Sequence, residues 1–458
     1  MKREFCIRVT EMDEKKIWQS RKKFIFMRKF GTFLSPRCTR IKKRLFMLRL
    51  ILFISLLYIP FSFAQNISSK TYEDVWSKYL QEVKADKNRL KEHQEKKIPY
   101  KDKVMKYEAK KVGKPDKTGY PLYIAMHGGG GAPARVNDSQ WEHMKRYYLG
   151  SVKKGIYVAP RGVTNTWNLH FVNESYPLYD RLIENMIAFE NVDPNQVYIM
   201  GFSAGGDGTY AISSRMADRW AAAAMSAGHH NGLDPRNLFN LPILLQVGDN
   251  DKAYKRHLVT VEFAEKLLKY QKAEKSGYVH QVNVHYRRGH NFLDNHPKEP
   301  NQKVISNPFE WKNGGKPKVK ELNTNSVRWL SQYKRNPLPE KVIWNTKIKA
   351  PRKSANRHYW LGSDKDFTGE IIASYNKQTN KVTVEKAADN LVIFLNHSML
   401  DLSKAVTFNV EGKDFSLKLK PNPKIMKETV RERGDKNYIF SAKVLLSKSN
   451  NEWVLKGQ

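Results

Sequence analysis

Residues 197–206 read V-Y-I-M-G-F-S-A-G-G, a short apolar run that ends in a serine flanked by glycines. The run V-Y-I-M is typical of a buried strand, and Gly201 and Gly205 relieve crowding where a strand turns tightly into a helix. Such a turn lifts Ser203 above the edge of a sheet, beside a helix N-terminus. Because G-x-S-x-G also occurs by chance, its meaning depends on what the rest of the chain supplies.

Similar apolar runs alternate with amphipathic helical patterns between about residues 100 and 335. The predicted strands are 121–126, 155–160, 197–200, 221–225, 242–247 and 281–286. Continuous apolar strands separated by helices predict an α/β fold, with a mostly parallel sheet covered by helices on both faces.

The pattern changes after N-P-L-P at 336–339. Period-2 runs such as K-V-T-V-E and A-V-T-F-N-V follow, with few helical patterns. They predict a small antiparallel, sandwich-like module with no catalytic cluster of its own. The predicted regions are a basic extension and signal peptide (1–64), a helical segment (65–99), an α/β catalytic domain (100–338) and a β-rich accessory module (339–458).

Three further segments follow predicted strands and supply what a reactive serine needs. The first is H-G-G-G-G at 127–131, whose glycines let backbone N–H groups approach a developing oxyanion. We assign this role to the N–H groups of Gly129, Gly130 and Ala204. A glycine run can also hold a phosphate, but no G-K-[ST] follows it here.

The other two segments offer an acid and a base. G-D-N-D (248–251) follows the strand 242–247, and R-R-G-H (287–290) follows the strand 281–286. Ser203 needs a base such as His290 to take its proton, and a carboxylate to hold the imidazole tautomer. Asp249 and Asp251 are both candidates; Asp251 is favoured because it lies further into the loop, whereas Asp249 is expected to cap the turn.

Four residues are weaker candidates for substrate contact: Trp167, His170, Asp207 and His229. Core packing is the favoured alternative for Trp167, and electrostatics at the helix entry is the alternative for Asp207. The adjacent His229 and His230 are expected to point in different directions, and H-E-x-x-H does not occur, so neither a metal nor another cofactor is predicted.

The formal charge of +36 is not evenly distributed. Residues 1–64 hold sixteen Lys/Arg and four Asp/Glu, so they contribute +12 and leave +24 for the remainder. This surplus favours an anionic polysaccharide or envelope surface as a partner. Nucleic acid is not expected, because no zinc-finger, RNP-like or basic-zipper pattern is present.

The N-terminal region resembles an export signal. The apolar stretch 45–64 follows R-I-K-K-R and ends in S-F-A, which predicts cleavage after Ala64 and a secreted or periplasmic protein. A retained membrane anchor is the rival interpretation, and Met47 is an alternative start to Met1. Both cysteines, Cys6 and Cys38, precede the cleavage point, so disulfides and thiol catalysis are not expected.

Longer strings carry a family resemblance over about residues 100–360. They include T-W-N-L-H-F (166–171), Y-P-L-Y-D-R-L-I-E-N (176–185), G-F-S-A-G-G-D-G (201–208), R-M-A-D-R-W-A-A-A-A-M (215–225) and H-Y-W-L (358–361). The chain resembles secreted α/β-hydrolases of the esterase and dienelactone-hydrolase-like superfamily, particularly bacterial members with a C-terminal β-module. This resemblance implies that Ser203 is the nucleophile, His290 the base and Asp251 the acid. The chain departs from relatives that place an aromatic residue directly after the histidine.

These observations predict an exported serine hydrolase that cleaves carboxylic esters, with acyl groups on glycans as the favoured substrates. Two alternatives stay open. A serine peptidase of the prolyl-peptidase type shares the fold and differs in the leaving group. A non-catalytic surface-binding module is the alternative from another class, which the intact set of Ser203, Asp251, His290 and glycines disfavours.

Overall fold

The computed structural model describes residues 71–363, 365–366 and 368–458. The predicted signal at 45–64, the basic extension before it and both cysteines lie outside these residues. Within the described ranges, no helix combines the length and apolar character needed to cross a membrane.

A ten-stranded sheet forms the centre of the first part of the chain. Its strands are β1 (Lys97–Tyr100), β2 (Lys103–Val112), β3 (Tyr120–Met126), β4 (Gly155–Pro160), β5 (Val192–Phe202), β6 (Ala222–Ser226), β7 (Ile243–Gly248), β8 (His280–His285), β9 (Asn301–Ile305) and β10 (Val319–Asn323). Their order is β1-β2-β4-β3-β5-β6-β7-β8-β9-β10. The six central strands β4, β3, β5, β6, β7 and β8 run parallel. Antiparallel pairs extend the sheet at both edges.

Helices cover both faces of this sheet. They are α1 (71–85), α2 (Lys87–Glu95), α3 (Ala134–Tyr147), α4 (Ser175–Glu190), α5 (Ala204–Arg215), α6 (Arg256–Glu274), α7 (Pro308–Lys312) and α8 (Ser326–Leu330). In β3, Leu122 and Ile124 enter one hydrophobic core, while Tyr123 and Ala125 enter a second core on the opposite face. The central strands are therefore mainly apolar because both of their faces are buried, and the predicted α/β fold is confirmed.

The last part of the chain forms two further sheets around one shared core. Its elements are β11 (Lys341–Asn345), β12 (Arg357–His358), β13 (Leu361–Ser363), β14 (Glu370–Asn376), β15 (Lys381–Lys386), β16 (Leu391–Leu395), β17 (Ala405–Val410), β18 (Lys413–Lys418), α9 (Pro423–Arg433), β19 (Ala442–Ser449) and β20 (Glu452–Gly457). The two five-stranded orders are β11-β14-β15-β17-β18 and β12-β13-β16-β19-β20. The pairing is antiparallel except between β15 and β17, which run parallel. The exact boundary at 338/339 stays a prediction, since Tyr72–Gln458 form one compact unit.

Buried ion pairs join these sheets to the first part of the chain. The carboxylate of Asp218, which follows α5, accepts hydrogen bonds from Nη2 of Arg433 (2.6 Å) and Nη2 of Arg352 (3.0 Å). Burial alone would raise the pKa of Asp218, but the two guanidinium charges outweigh it and hold the pKa well below its usual range. The hydroxyl of Tyr438 also donates to the carbonyl of Asp218 (2.8 Å). The buried charge of Asp218 is thus compensated by the two arginines that reach it from the last part of the chain.

Candidate active site

Ser203 lies at the junction of β5 and α5, at the carboxyl edge of the parallel strands. Its backbone adopts φ 58° and ψ −120°, a strained combination for a residue with a side chain. The turn is crowded: a Cβ added to Gly205 would lie 2.1 Å from the carbonyl oxygen of Met126. The N–H of Ser203 donates to the carbonyl of Ser226 at the end of β6 (2.9 Å). The strand-to-helix turn expected from the sequence is therefore present.

His290 and Asp251 extend a hydrogen-bonded series from this serine. Nε2 of His290 lies 2.9 Å from Oγ of Ser203, and Nδ1 lies 2.8 Å from Oδ2 of Asp251. Asp251 is 2% exposed, whereas His290 is half-buried. A buried carboxylate that accepts from Nδ1 fixes the tautomer whose Nε2 can take a proton from a serine. Arg256 adds a positive charge 3.7 Å from the other carboxylate oxygen of Asp251.

Asp249, the second candidate for the acid, binds backbone instead of the imidazole. Its carboxylate accepts hydrogen bonds from the N–H groups of Arg287 (2.9 Å) and Arg288 (3.0 Å). Arg287 has φ 55°, so these bonds stabilise a left-handed residue shortly before His290. The structure therefore brings Asp251, and not Asp249, against the imidazole of His290.

The glycine loop after β3 lies beside the serine turn. Gly129 and Gly130 have φ of 98° and 81°, which favour glycine. The N–H of Gly130 donates to Oδ1 of Asn137 (2.8 Å), so this group is already engaged, which corrects its assignment as an oxyanion donor. By contrast, no acceptor among the described residues binds the N–H of Gly129 or Ala204. Those two N–H groups can face a developing negative charge.

Two buried histidines hold the glycine loop in place. Nδ1 of His127 donates to the carbonyl of Gly128 (2.6 Å), and its Nε2 accepts from the N–H of Gly162 (3.0 Å). Burial lowers the pKa of His127 to about 4, so the ring is neutral at pH 7. Nε2 of His170 donates to the carbonyl of His127 (2.9 Å). His170 is 1% exposed, so its side chain supports the loop and is not part of an open surface; substrate contact by His170 stays a prediction.

The carboxylate of Asp207 on α5 binds the backbone of His229 in the turn after β6. Oδ1 of Asp207 accepts from the N–H of His229 (2.7 Å), and burial raises the pKa of this carboxyl group. The rings of His229 and His230 stack with centroids 5.5 Å apart and planes 14° apart, so they do not point in different directions as expected. Substrate contact by Asp207 and His229 stays a prediction. Among residues 71–458 that are described, no three His, Cys, Asp or Glu side chains group as metal ligands.

Trp167 stands exposed beside the glycine loop. Its side chain is 55% exposed, and a Cβ on Gly130 would lie 2.9 Å from its carbonyl oxygen. Its ring meets that of Phe171 edge to face, with centroids 5.3 Å apart. The favoured interpretation of Trp167 as a core residue was therefore wrong. Tyr176, nine residues further along the chain, is buried in the core.

A pocket of about 500 Å³ opens next to the serine turn. Gly128, which lines it, would place a Cβ 3.4 Å from Cβ of Ser203. Other residues that line the pocket include Phe202, Tyr147, Arg288, Phe292 and Leu293. Aromatic and aliphatic side chains with a few polar groups suit a small acyl or aryl group.

Comparison with known proteins adds a partial match. The model of the dienelactone hydrolase family matches residues 164–318, about a third of the chain, and this range contains Ser203, Asp251 and His290. The bifunctional acetylxylan esterase/xylanase XynS20E of Neocallimastix patriciarum is 31% identical over 111 residues. That alignment covers 24% of this chain and 16% of the relative, so the chain spans about a sixth of the relative's length.

Solved structures with detectable likeness include several esterases. A thermostable esterase shares 20% identity, covering 52% of this chain and 62% of that chain, with a TM-score of 0.34. A poly(3-hydroxybutyrate) depolymerase from Bordetella parapertussis shares 16%, covering 54% and 98%, with a TM-score of 0.35. A ferulic acid esterase from the anaerobic fungus Anaeromyces mucronatus shares 16%, covering 43% and 84%, with a TM-score of 0.28. The chain has an α/β-hydrolase fold, and the family match over 164–318 supports an esterase-like hydrolase.

Proposed function

We propose that the protein is an exported serine hydrolase that cleaves carboxylic esters through an acyl-enzyme. The observation that carries this proposal is the series from Ser203 through His290 to Asp251, with contacts of 2.9 and 2.8 Å. These distances match what a nucleophile, a general base and an orienting acid require. The match of 164–318 to the dienelactone hydrolase family supports an ester as the bond that is cleaved.

In the first half-reaction, Oγ of Ser203 attacks the ester carbonyl while Nε2 of His290 takes its proton. The carbonyl oxygen becomes negative and accepts hydrogen bonds from the N–H groups of Ala204 and Gly129. The tetrahedral intermediate then breaks its bond to the alcohol oxygen, and His290 returns the proton to that oxygen. Asp251 stabilises the imidazolium throughout without itself becoming protonated.

In the second half-reaction, water replaces the alcohol. His290 takes a proton from water as its oxygen attacks the acyl carbon, and the same N–H groups stabilise the new oxyanion. Collapse of this intermediate breaks the bond to Ser203, whose Oγ receives the proton back. The products are a carboxylic acid and the regenerated serine.

For the substrate, we propose a short or aromatic acyl group displayed on a glycan. The exposed Trp167 offers a flat apolar surface at the site, and the +24 outside residues 1–64 favours an acidic polymer. The name of the acetylxylan esterase/xylanase relative points the same way. Export rests on the sequence at 45–64, and residues 339–458 are proposed as an accessory module.

The direct test is labelling with a fluorophosphonate, which reacts with an activated serine. Ser203→Ala should fold and lose all labelling. Ser213→Ala is the matched control, because Ser213 is buried in the same helix α5 and its hydroxyl donates only to the carbonyl of Tyr210 (3.3 Å). Undiminished labelling of Ser203→Ala would refute the proposal.

The substrate class requires a second assay. Acetylated and feruloylated oligosaccharides, emulsified long-chain glycerides and peptide amides should be compared at low and high salt. We expect the glycan esters to turn over fastest, and their apparent KM to rise with salt if charge concentrates the enzyme on acidic polymer. Preference for glycerides or amides would overturn the glycan-ester substrate.

A further inference from the structure

Asp294 is a fully buried carboxylate four residues after His290, and it takes no part in the steps above. Four hydroxyl groups donate to it: those of Tyr147 (2.9 Å), Tyr148 (2.7 Å), Ser226 (2.5 Å) and Ser326 (3.2 Å). We refer to these five residues as the Asp294 cluster. An ionised carboxylate only accepts hydrogen bonds and offers about four positions, so four donors satisfy it.

Ser226 connects this cluster to the nucleophile. Its carbonyl accepts the backbone N–H of Ser203 (2.9 Å), while its hydroxyl donates to Asp294. The turn that carries Ser203 and the loop that carries His290 are therefore tied to one and the same residue. Any movement of that loop away from Ser226 would lengthen the 2.9 Å contact between His290 and Ser203.

The loop after β8 is held on both sides of His290. On the N-terminal side, Asp249 binds the N–H groups of Arg287 and Arg288. On the C-terminal side, besides the carboxylate contacts, the carbonyl of Asp294 accepts from the N–H of Ser326 (2.8 Å). The imidazole thus projects from a short segment fixed at two points.

A row of polar side chains on neighbouring strands supports the cluster. Ser226, Gln246 and Asn283 are register partners on β6, β7 and β8. Nε2 of Gln246 donates to Oγ of Ser326 (2.8 Å), and its Oε1 accepts from Nδ2 of Asn283 (3.1 Å). All three are buried, so the donors that face Asp294 are themselves held in place.

Burial of a carboxylate is costly, which argues that the site is not incidental. Burial raises the pKa of Asp294, and the hydroxyl bonds only partly oppose this. An apolar residue of similar size would avoid this cost but could not tie α3, β6 and α8 to the loop.

We propose that Asp294 is a positioning residue that fixes His290 relative to Ser203. This inference rests on the proposed function, because it assigns Asp294 a role in the same reaction. Asp294 touches neither substrate nor the reacting atoms; it acts through the loop that it holds.

The first test is Asp294→Asn in the full chain. Since a displacement of about 1 Å in a catalytic group can cost on the order of 100-fold, kcat for an ester should fall roughly 10- to 100-fold while KM changes by less than about threefold. The rate of fluorophosphonate labelling should fall by a similar factor. A folded Asp294→Asn protein with wild-type kcat would overturn the proposal.

A matched pair of tyrosines covers the case in which Asp294→Asn does not fold. Tyr148→Phe removes one donor to Asp294, whereas Tyr157→Phe removes an equally buried hydroxyl that donates to the carbonyl of Met144. We expect kcat per folded molecule to fall several-fold in Tyr148→Phe and to stay unchanged in Tyr157→Phe. Equal kcat in the two variants would refute the role.

Hydrogen exchange gives a readout that does not depend on turnover. Backbone amides of residues 286–295 should exchange faster in Tyr148→Phe than in Tyr157→Phe or wild type. If the wild-type protein hydrolyses no ester, the proposed function fails, and the exchange experiment still shows whether Asp294 holds the loop. If exchange is the same in all three proteins, the positioning role fails whatever the activity.

Discussion

Nδ1 of His290 lies 2.8 Å from the carboxylate of Asp251, 39 residues earlier in the chain. Asp249 is only two residues from Asp251 and yet binds the backbone of Arg287 and Arg288. The two aspartates therefore have different tasks.

We expect Asp251→Asn to lower kcat by about 10⁴-fold, because an amide favours the wrong tautomer of the imidazole. Asp249→Asn keeps that contact and loosens only the turn before His290, so its loss should be nearer tenfold. Steady-state kinetics on both variants, with circular dichroism to verify folding, would measure the difference. A greater loss in Asp249→Asn would reverse the assignment.

Substitution of Gly129 should remove oxyanion stabilisation. A Cβ there would lie 2.4 Å from Oδ1 of Asn137 at a φ of 98°, so the loop must shift. We expect Gly129→Ala to lower kcat by about 10²- to 10³-fold. Gly314→Ala is the control, because Gly314 also has a positive φ (90°) but no atom within 4 Å of the added Cβ. Similar kcat values in the two variants would exclude Gly129 as a donor.

Substitution of Trp167 should weaken the binding of large substrates and leave the binding of small ones unchanged. Its exposed ring can stack on an aryl or sugar group, an interaction worth about 0.5–1.5 kcal/mol. Trp167→Ala should therefore raise KM for feruloylated oligosaccharides roughly 2- to 12-fold and leave kinetics on a simple acetate ester unchanged. An equal effect on both substrates would point to a structural role.

Acid should destabilise the fold through its buried histidines. Burial lowers the pKa of His127, His230 and His358 to about 4 each, against about 6.5 in the unfolded chain. Between these values the unfolded state binds more protons, so the stabilisation present above about pH 6.5 is lost as the pH falls towards 4. Each histidine contributes on the order of 1.4 kcal/mol per pH unit.

Chemical unfolding at pH 7 and pH 5 would measure this slope. His127→Asn removes one titrating group. The change in its free energy of unfolding per pH unit should therefore be smaller by up to about 1.4 kcal/mol, which corresponds to one proton. A free energy of unfolding that does not change between pH 7 and 5 would contradict the prediction.

The buried ion pairs around Asp218 should matter more than exposed ones on the same helix. Arg433→Met leaves the buried Asp218 without one of its partners and should lower the free energy of unfolding by about 3–5 kcal/mol. Arg431→Met removes an exposed pair with Glu82 and should cost less than about 1 kcal/mol. Equal urea midpoints for the two variants would show that the buried pair contributes little.

The sequence predicted the centre of the fold well and its edges poorly. Strands such as 155–160 are apolar throughout because both faces are buried, and that pattern is readable directly. β1 and β10 lie at the two edges of the sheet and are mostly exposed, so their sequences need neither an apolar run nor alternating apolar and polar residues. They therefore carry no pattern that predicts a strand. Similarly, β15 and β17 pair in parallel although β16, which lies between them in the chain, belongs to the other sheet, and this crossover leaves no local pattern.

At the site, the sequence indicated the loops and the partners Ser203, His290 and Asp251, but not the hydrogen-bond partners of the groups around them. Asn137 on α3 accepts the N–H of Gly130, and no spacing rule encodes this contact between the helix and the glycine loop. Nor does residue type distinguish the exposed Trp167 from a buried tryptophan, or the buried His170 from an accessible histidine. His127 could have been noticed, since a histidine directly before four glycines has backbone groups within reach on both sides.

The ion pairs between Asp218, Arg352 and Arg433 also limit how the chain can evolve. A change in any one of them deprives a buried charge of one of its partners, so we expect single substitutions to be selected against unless a second follows. Recombination that exchanged residues 339–458 for an unrelated segment would remove both arginines at once. We expect the two parts of the gene to be inherited together and to co-vary across this contact, and not to be shuffled as independent cassettes.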